Sequence, residues 1–456
     1  MKRAILFVAV LALSALTFVA CGGGSSSSNN NNSGNSQAQV FVTGEDAPLP
    51  SVISFYITIN SITLNNSSGS QTVLSTPTTV DFGRLMGLRS LLGFNTVNPG
   101  TYTSATFSLS NPVIYYVTMT PTPSVTQMNG TLTNSTVTVA FPTEKPLTVS
   151  SNGLAGLHMD FDLRQSLETT GGQINGTVNP TIELMAVSAS EELGQITEFV
   201  GSVLSTDSTA STFTVQGPYG FQEVIDVSTQ SPVTQFSGSY TLASLPVNSI
   251  VAVEGTVQAD GSILAADVEV ITTNKAFVSG RILAVNPGPQ VTMFVGEELP
   301  NLSPTIPIDT VQTIDLTGVS QYDICFMDNW LTGQFFNPSS LVVGQRIFVG
   351  GTFQSNVFTP QMVSLRRQGV LGQLVQNSVS ITSGNQGSFQ MQNDLLMSYA
   401  AGGAFTVYTG NLTVFENING LVGLESAGAA NLITRGLVFD SGGKPVVVAG
   451  RVRVLP

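Results

Sequence analysis

The chain has 456 residues, a formal net charge of −13, only 9% charged side chains and two cysteines. Nucleic acid and an anionic membrane face both call for clustered Lys and Arg, so this balance argues against either as a partner. Two cysteines cannot supply a disulfide framework, and a body of this length must be held together by burial alone.

In chain order, Lys2 and Arg3 precede a continuous apolar run, Ala4 to Val19, broken only by Ser14 and Thr17. This is the pattern of a secretory signal peptide, too short and too near the start to read as a membrane span. The run closes on Val19, Ala20 and Cys21, which resembles the bacterial lipobox, with Phe18 where leucine is usual. The resemblance implies cleavage by signal peptidase II before Cys21 and a diacylglycerol on its thiol. Residues 1–20 are then the signal peptide, and 21–37 the lipidated cysteine with a tether. Gly22 to Ser36 holds no apolar side chain to offset the entropy of ordering, and spans roughly 20 Å as a flexible coil. Gly22, and not aspartate, follows the cysteine, which by the sorting rule of enteric lipoproteins favours the outer membrane or cell surface. The expected location is the bacterial cell envelope, with the membrane reached through the lipid. Cys325, without a partner, is expected in a core.

The rest reads as β. In Ser54 to Leu64, Phe55, Ile57 and Ile59 alternate with Tyr56, Thr58 and Asn60, and the same period recurs in "YTSATFSLS", "STVTVAF" and "STFTVQG". One helix is expected over Asp81 to Gly93, with Leu85, Leu88 and Leu92 on one face, Asp81 as its N-cap and Gly93 as its stop. In "LHMDFDL", His158, Asp160 and Asp162 share one face of a strand, and Leu157, Met159, Phe161 and Leu163 the other. One nitrogen and two carboxylates make this face a candidate for a divalent cation, with Asp46 as a further acid; the plainer alternative is a solvated face over a buried strand.

The second half repeats. "FVGSVLSTDSTASTFTVQG", "FVSGRILAVNPGPQVTMFVG" and "GVLGQLVQNSVSITSG" each carry an early glycine, Gly201, Gly280 and Gly372, followed later by a second in "VAVEGTV", "IFVGGTF" and "LITRGLVF". Three tandem β modules follow, over 196–273, 274–367 and 368–456, after a first domain over 38–190. The third is the most diverged and suits a cap. The second carries an insertion, "QYDICFMDNWLTGQFF", where Tyr322, Phe326 and Trp330 fall at i, i+4 and i+8 with Asp323 and Asp328 between. A short helix there would present an aromatic stripe for stacking on sugars; the competing reading is a plug on the end of a barrel.

Residues about 38 to 188 resemble the bacterial family known as domain of unknown function 4382, through "EDAPLPSVISFYITINSITL", "VDFGRLMGLRSLLG", "NPGTYTSATFSL" and "LHMDFDLRQSL". The modules resemble domain of unknown function 5666, through "VGSV", "FTVQ", "VIDVSTQSPV" and "VNSIVAVEGTVQADGSILAADVEV", the third weakly. The resemblance implies predicted lipoproteins and brings no established activity. The expected fold is all-β: a transthyretin- or immunoglobulin-like β-sandwich, then three small five-stranded OB-like barrels.

Catalytic motifs are lacking. The chain has a single histidine and no G-x-S-x-G elbow, Walker loop, Rossmann fingerprint or Cys/His zinc cluster. The expected function is a non-catalytic, lipid-anchored binding or structural module, with polysaccharide or another envelope protein as partner. Two rivals stand beside it, a polysaccharide-directed or metal-dependent hydrolase and a purely structural scaffold. Any ligand is expected on strands two and three of a barrel with their flanking loops, or on the insertion.

Overall fold

The alternation from Ser54 to Leu64 becomes one long strand, Val52–Asn66, with Phe55, Ile57, Ile59, Ile62 and Leu64 buried. The computed structural model describes residues 37–455 apart from 48, 50, 119–123, 171–172, 218–221, 274–275, 301, 304, 327–334 and 394–403. In the first domain one sheet runs Thr136–Ala140, Ser104–Thr118, Val52–Asn66, Gly69–Leu74. The second runs Ile182–Val187, Leu154–Asp162, Ala38–Ala47, Ser90–Val97, and only its middle pair is parallel. Phe161 of the second sheet meets Phe55 of the first with ring centroids 5.4 Å apart, and Val40, Val42, Leu157 and Met159 fill the same core.

The helix expected over Asp81 to Gly93 does not form. The segment is the end of strand Thr78–Asp81, one 3₁₀ turn, Phe82–Leu85, and the start of strand Ser90–Val97. Two glycines explain the difference. A Cβ at Gly83 would press on the Ser54 backbone, and Gly87 sits at φ +65°, where a right-handed helix cannot continue. Asp81 does not cap a helix; its carboxylate accepts from the Phe55 backbone N–H at 2.8 Å. Leu85, Leu88 and Leu92 are buried as their spacing suggests, but by a turn and a strand.

The first and third modules close by the same pairing scheme, and the second shares its antiparallel part. In the first, strands Gln195–Asp207, Thr212–Gln216 and Gln222–Val227 form a meander, and the first also pairs with the fourth, Ile250–Val257. The fifth, Ile263–Thr272, pairs antiparallel with the fourth and parallel with the third, so the ring closes in the order 1-2-3-5-4-1. The third module closes identically through Gln368–Leu374, Gln386–Asn393, Ala404–Glu416, Asn431–Asp440 and Pro445–Val454, despite its diverged sequence. In the second module the parallel partner of the fifth strand is Gln321–Ile324, which lies in the insertion. The later marker glycines sit at register breaks in the fourth strands: Glu254/Gly255, Gly350/Gly351 and Arg435/Gly436.

The first domain touches every module. Phe41 and Val187, on the outer face of its second sheet, join the core of module one. Ile53, Met86 and Val117 pack with Leu283 and Phe294 of module two. Gly369 of module three donates its N–H to the Met86 carbonyl at 3.1 Å.

Candidate functional site

Cys21 lies outside the described residues. His158, Asp160 and Asp162 share a face as expected, but that face is buried and not solvated. In the parallel register with Ala38–Ala47, Thr43 stands beside His158 and Glu45 beside Asp160, and all four are buried. Strand Pro445–Val454 brings arginines over them. Arg453 Nη1 lies 3.4 Å from Asp160, and Arg451 reaches Glu45 at 3.6 Å, Glu192 at 3.3 Å and Glu416 at 2.6 Å. Thr43 Oγ1 donates to the Leu193 carbonyl at 3.1 Å, which leaves His158 Nδ1 as the donor in their 3.0 Å hydrogen bond. Asp162 caps the short helix Leu163–Ser166 by accepting from Gln165 N at 2.9 Å. Asp46, in register with Phe161, falls on the opposite face from Asp160. Among the described residues no group of three or more His, Cys, Asp or Glu is arranged to hold a metal ion. An arginine 293 residues away in sequence meets Asp160.

The aromatic stripe of the insertion begins in a strand. Tyr322 and Asp323 lie in strand Gln321–Ile324, so they point to opposite faces; Tyr322 packs edge-on against Phe336 with centroids 5.8 Å apart. Phe326 is half-buried just past that strand, and Cys325 is in the core with its thiol 3.7 Å from Glu269. Asp328 and Trp330 lie outside the described residues. Apolar i, i+4 spacing across a strand end mimics a helix.

A cleft of about 1090 Å³ lies where the first domain meets modules one and two. One wall is the stretch Leu74 to Asp81 with Arg84, Leu85 and Ser90 to Asn95; the other is Glu198 to Val200, Gln222 to Val224, Asp260 to Ser262 and Glu297. The wall from module one therefore includes its third strand and the loop between its fourth and fifth strands, the region favoured for ligands in OB-like barrels. Ser75, Thr76, Thr78, Thr79 and Phe94 line the first-domain wall, and Phe199 lines the module-one wall.

Buried ion pairs hold the walls. Glu198 accepts from Arg346 at 2.6 Å and from Arg366 at 2.8 Å, and Arg366 also reaches Glu269 at 2.6 Å. Both guanidiniums lie over the Phe348 ring, at 4.9 and 4.1 Å. Burial alone would raise the Glu198 carboxyl, but Arg346 and Arg366 outweigh it and hold it at about 2. Arg84 pairs with Glu297 across the cleft.

Glu223 has no such partner. Its side chain is 8% exposed, lines the cleft and has no hydrogen bond or ion pair among the described residues. It alternates onto the same face as Ile225, a module-one core residue, and stands opposite Val215. Burial pushes its carboxyl up to about 7. The signal was present in the sequence: "QEVIDV" puts Glu223 in the inward register of Ile225.

These environments set a pH profile. Burial raises Asp160 to about 7, with Glu45 adding to it, and raises Asp309 to about 6. For these two and Glu223, stability is present below the ordinary carboxylate value and lost as pH rises through 6 to 7, by up to about 3 kcal/mol for a well-buried group. His158, held down to about 4 by burial, opposes them: its contribution is present above 6.5 and lost as pH falls through 4. Glu45, which burial would raise, is held at about 2 by Arg451 and Arg89, so it and Glu198 lose their contribution as pH falls from 4.5 through 2. Three groups outweigh one between pH 5 and 8. The melting temperature should therefore be higher near pH 5 than near pH 8 and fall again below pH 4, as followed by circular dichroism. A steady rise from pH 5 to pH 8 would contradict these assignments.

Residues 37–180 match the family model described as Domain of unknown function (DUF4382), and residues 200–269 match the model described as Domain of unknown function (DUF5666). No curated protein matches the chain.

Proposed function

We propose that this chain is a non-catalytic binding protein of the bacterial envelope, anchored through lipid on Cys21, that holds a polysaccharide in the cleft between its first domain and modules one and two. The cleft carries the reading: it is large, lined by hydroxyls, carboxylates and aromatic faces, and walled by sheets joined through buried ion pairs. The tether lets the body reach ligand near the membrane while the acyl chains hold it there.

A second reading, hydrolysis of the polysaccharide in the same cleft, is favoured by Glu223, whose raised carboxyl is suited to a general acid. Both are tested on the full chain in detergent by titrating envelope polysaccharides in a calorimeter while assaying released reducing ends. We expect saturable binding without turnover, weakened about tenfold or more by Thr76→Trp, which fills the cleft from an exposed position. Unchanged binding by this variant would remove the cleft from the account, and turnover lost in Glu223→Gln would establish the hydrolase.

A further inference from the structure

Among the described residues, the cleft carries more carboxylates than cations in its lining. Its lining holds the carboxylates of Asp81, Glu198, Glu223, Asp260 and Glu297 and one cation, Arg84. Glu198 is matched by Arg346 and Arg366, and Glu297 by Arg84. Asp260 accepts from Ser262 N at 3.0 Å and from its hydroxyl at 2.7 Å, which hold its carboxyl below the usual range and keep it charged. Among the described residues that leaves Glu223 and Asp260 on the module-one wall without a countercharge, and Glu223 is more than nine-tenths buried. A carboxylate in that position is costly unless something outside the chain satisfies it.

We propose that Glu223 is the anchor for an ammonium group, and that the ligand of the cleft is a glycan bearing free amino groups. The proposal rests on the cleft being the binding site. Hydroxyl-bearing residues and the aromatic residues Phe94 and Phe199 in the lining suit a sugar, and the ammonium gives the buried carboxylate its partner. An N-acetylated glycan offers Glu223 an amide and no charge. A neutral glycan leaves the carboxylate buried and unpaired.

The test compares β-linked glucosamine oligomers with their fully N-acetylated counterparts on the full chain in detergent, near neutral pH. A lysine-rich peptide serves as a competitor, and wild type, Glu223→Gln and Thr76→Trp are compared. The expected result is a preference for the glucosamine oligomer on the order of tenfold or more, largely erased in Glu223→Gln and accompanied by weak binding of both oligomers to Thr76→Trp. The amide is isosteric and removes an unpaired buried charge, so the variant should melt no lower than wild type. Equal affinity for both oligomers, lost in Thr76→Trp, would overturn the ammonium proposal and leave the cleft in place. Binding indifferent to Thr76→Trp would overturn both. Binding of the peptide together with no glycan binding would also overturn the proposal.

Discussion

Replacing Arg366 with leucine should cost the fold roughly 3–5 kcal/mol, the range for breaking a buried ion pair from one side. Arg366 is fully buried, bonds Glu198 and Glu269 at 2.8 and 2.6 Å, and stacks on Phe348. Without it, Glu269 loses the arginine it meets and Glu198 keeps only Arg346. The loss comes chiefly from stranded charge, so adding Glu198→Gln and Glu269→Gln to Arg366→Leu should recover part of it. Lysine should not rescue, because one ammonium cannot reproduce the two-sided fork or the stacking. Thermal unfolding of the single and triple variants checks this, and an unchanged melting temperature in Arg366→Leu would contradict it. Because the two glutamates belong to module one and Arg366 to module two, the same result tests whether this network joins the modules.

The second large effect belongs to the bulge glycines. A Cβ at Gly255 would enter the carbonyl oxygen of Leu264, at Gly351 that of Thr359, and at Gly436 that of Val448. In each case the obstacle is backbone of the fifth strand, which cannot yield without losing its pairing with the fourth. Alanine at any of the three should cost about 3 kcal/mol. Gly318→Ala, whose Cβ would find only ordinary contact at 3.8 Å, should stay within about 0.5 kcal/mol. Chemical denaturation of the four variants gives the comparison. Equal midpoints would mean that the repeated glycine does not mark a close backbone approach.

These glycines show how far the sequence could be read. Their recurrence in "VAVEGTV", "IFVGGTF" and "LITRGLVF" was visible, and each falls at the same register break. The strand period of Val52–Asn66 was equally legible, since alternation is a local consequence of the pleat. Local signals misled where glycine geometry decided the outcome, as at Gly83 and Gly87, which turn an apparent amphipathic helix into a 3₁₀ turn and a strand. They also misled where partners come from far along the chain. Alternation separated His158 and Asp160 from Met159 and Phe161, but nothing near residue 158 announced that Arg451 and Arg453 would cover the polar face. The cleft has the same character. Its walls come from stretches more than a hundred residues apart, so only Glu223, an acid in an inward strand register, was open to inspection beforehand.

The most direct test of the cleft as the binding site is hydrogen exchange on the full chain in detergent, with and without saturating polysaccharide. Binding in the cleft should slow exchange at residues 74–81, 90–95, 198–200, 222–224 and 260–262, which form the two walls. Protection confined to the third module, for example along Ala404–Glu416, with these walls unchanged, would contradict it.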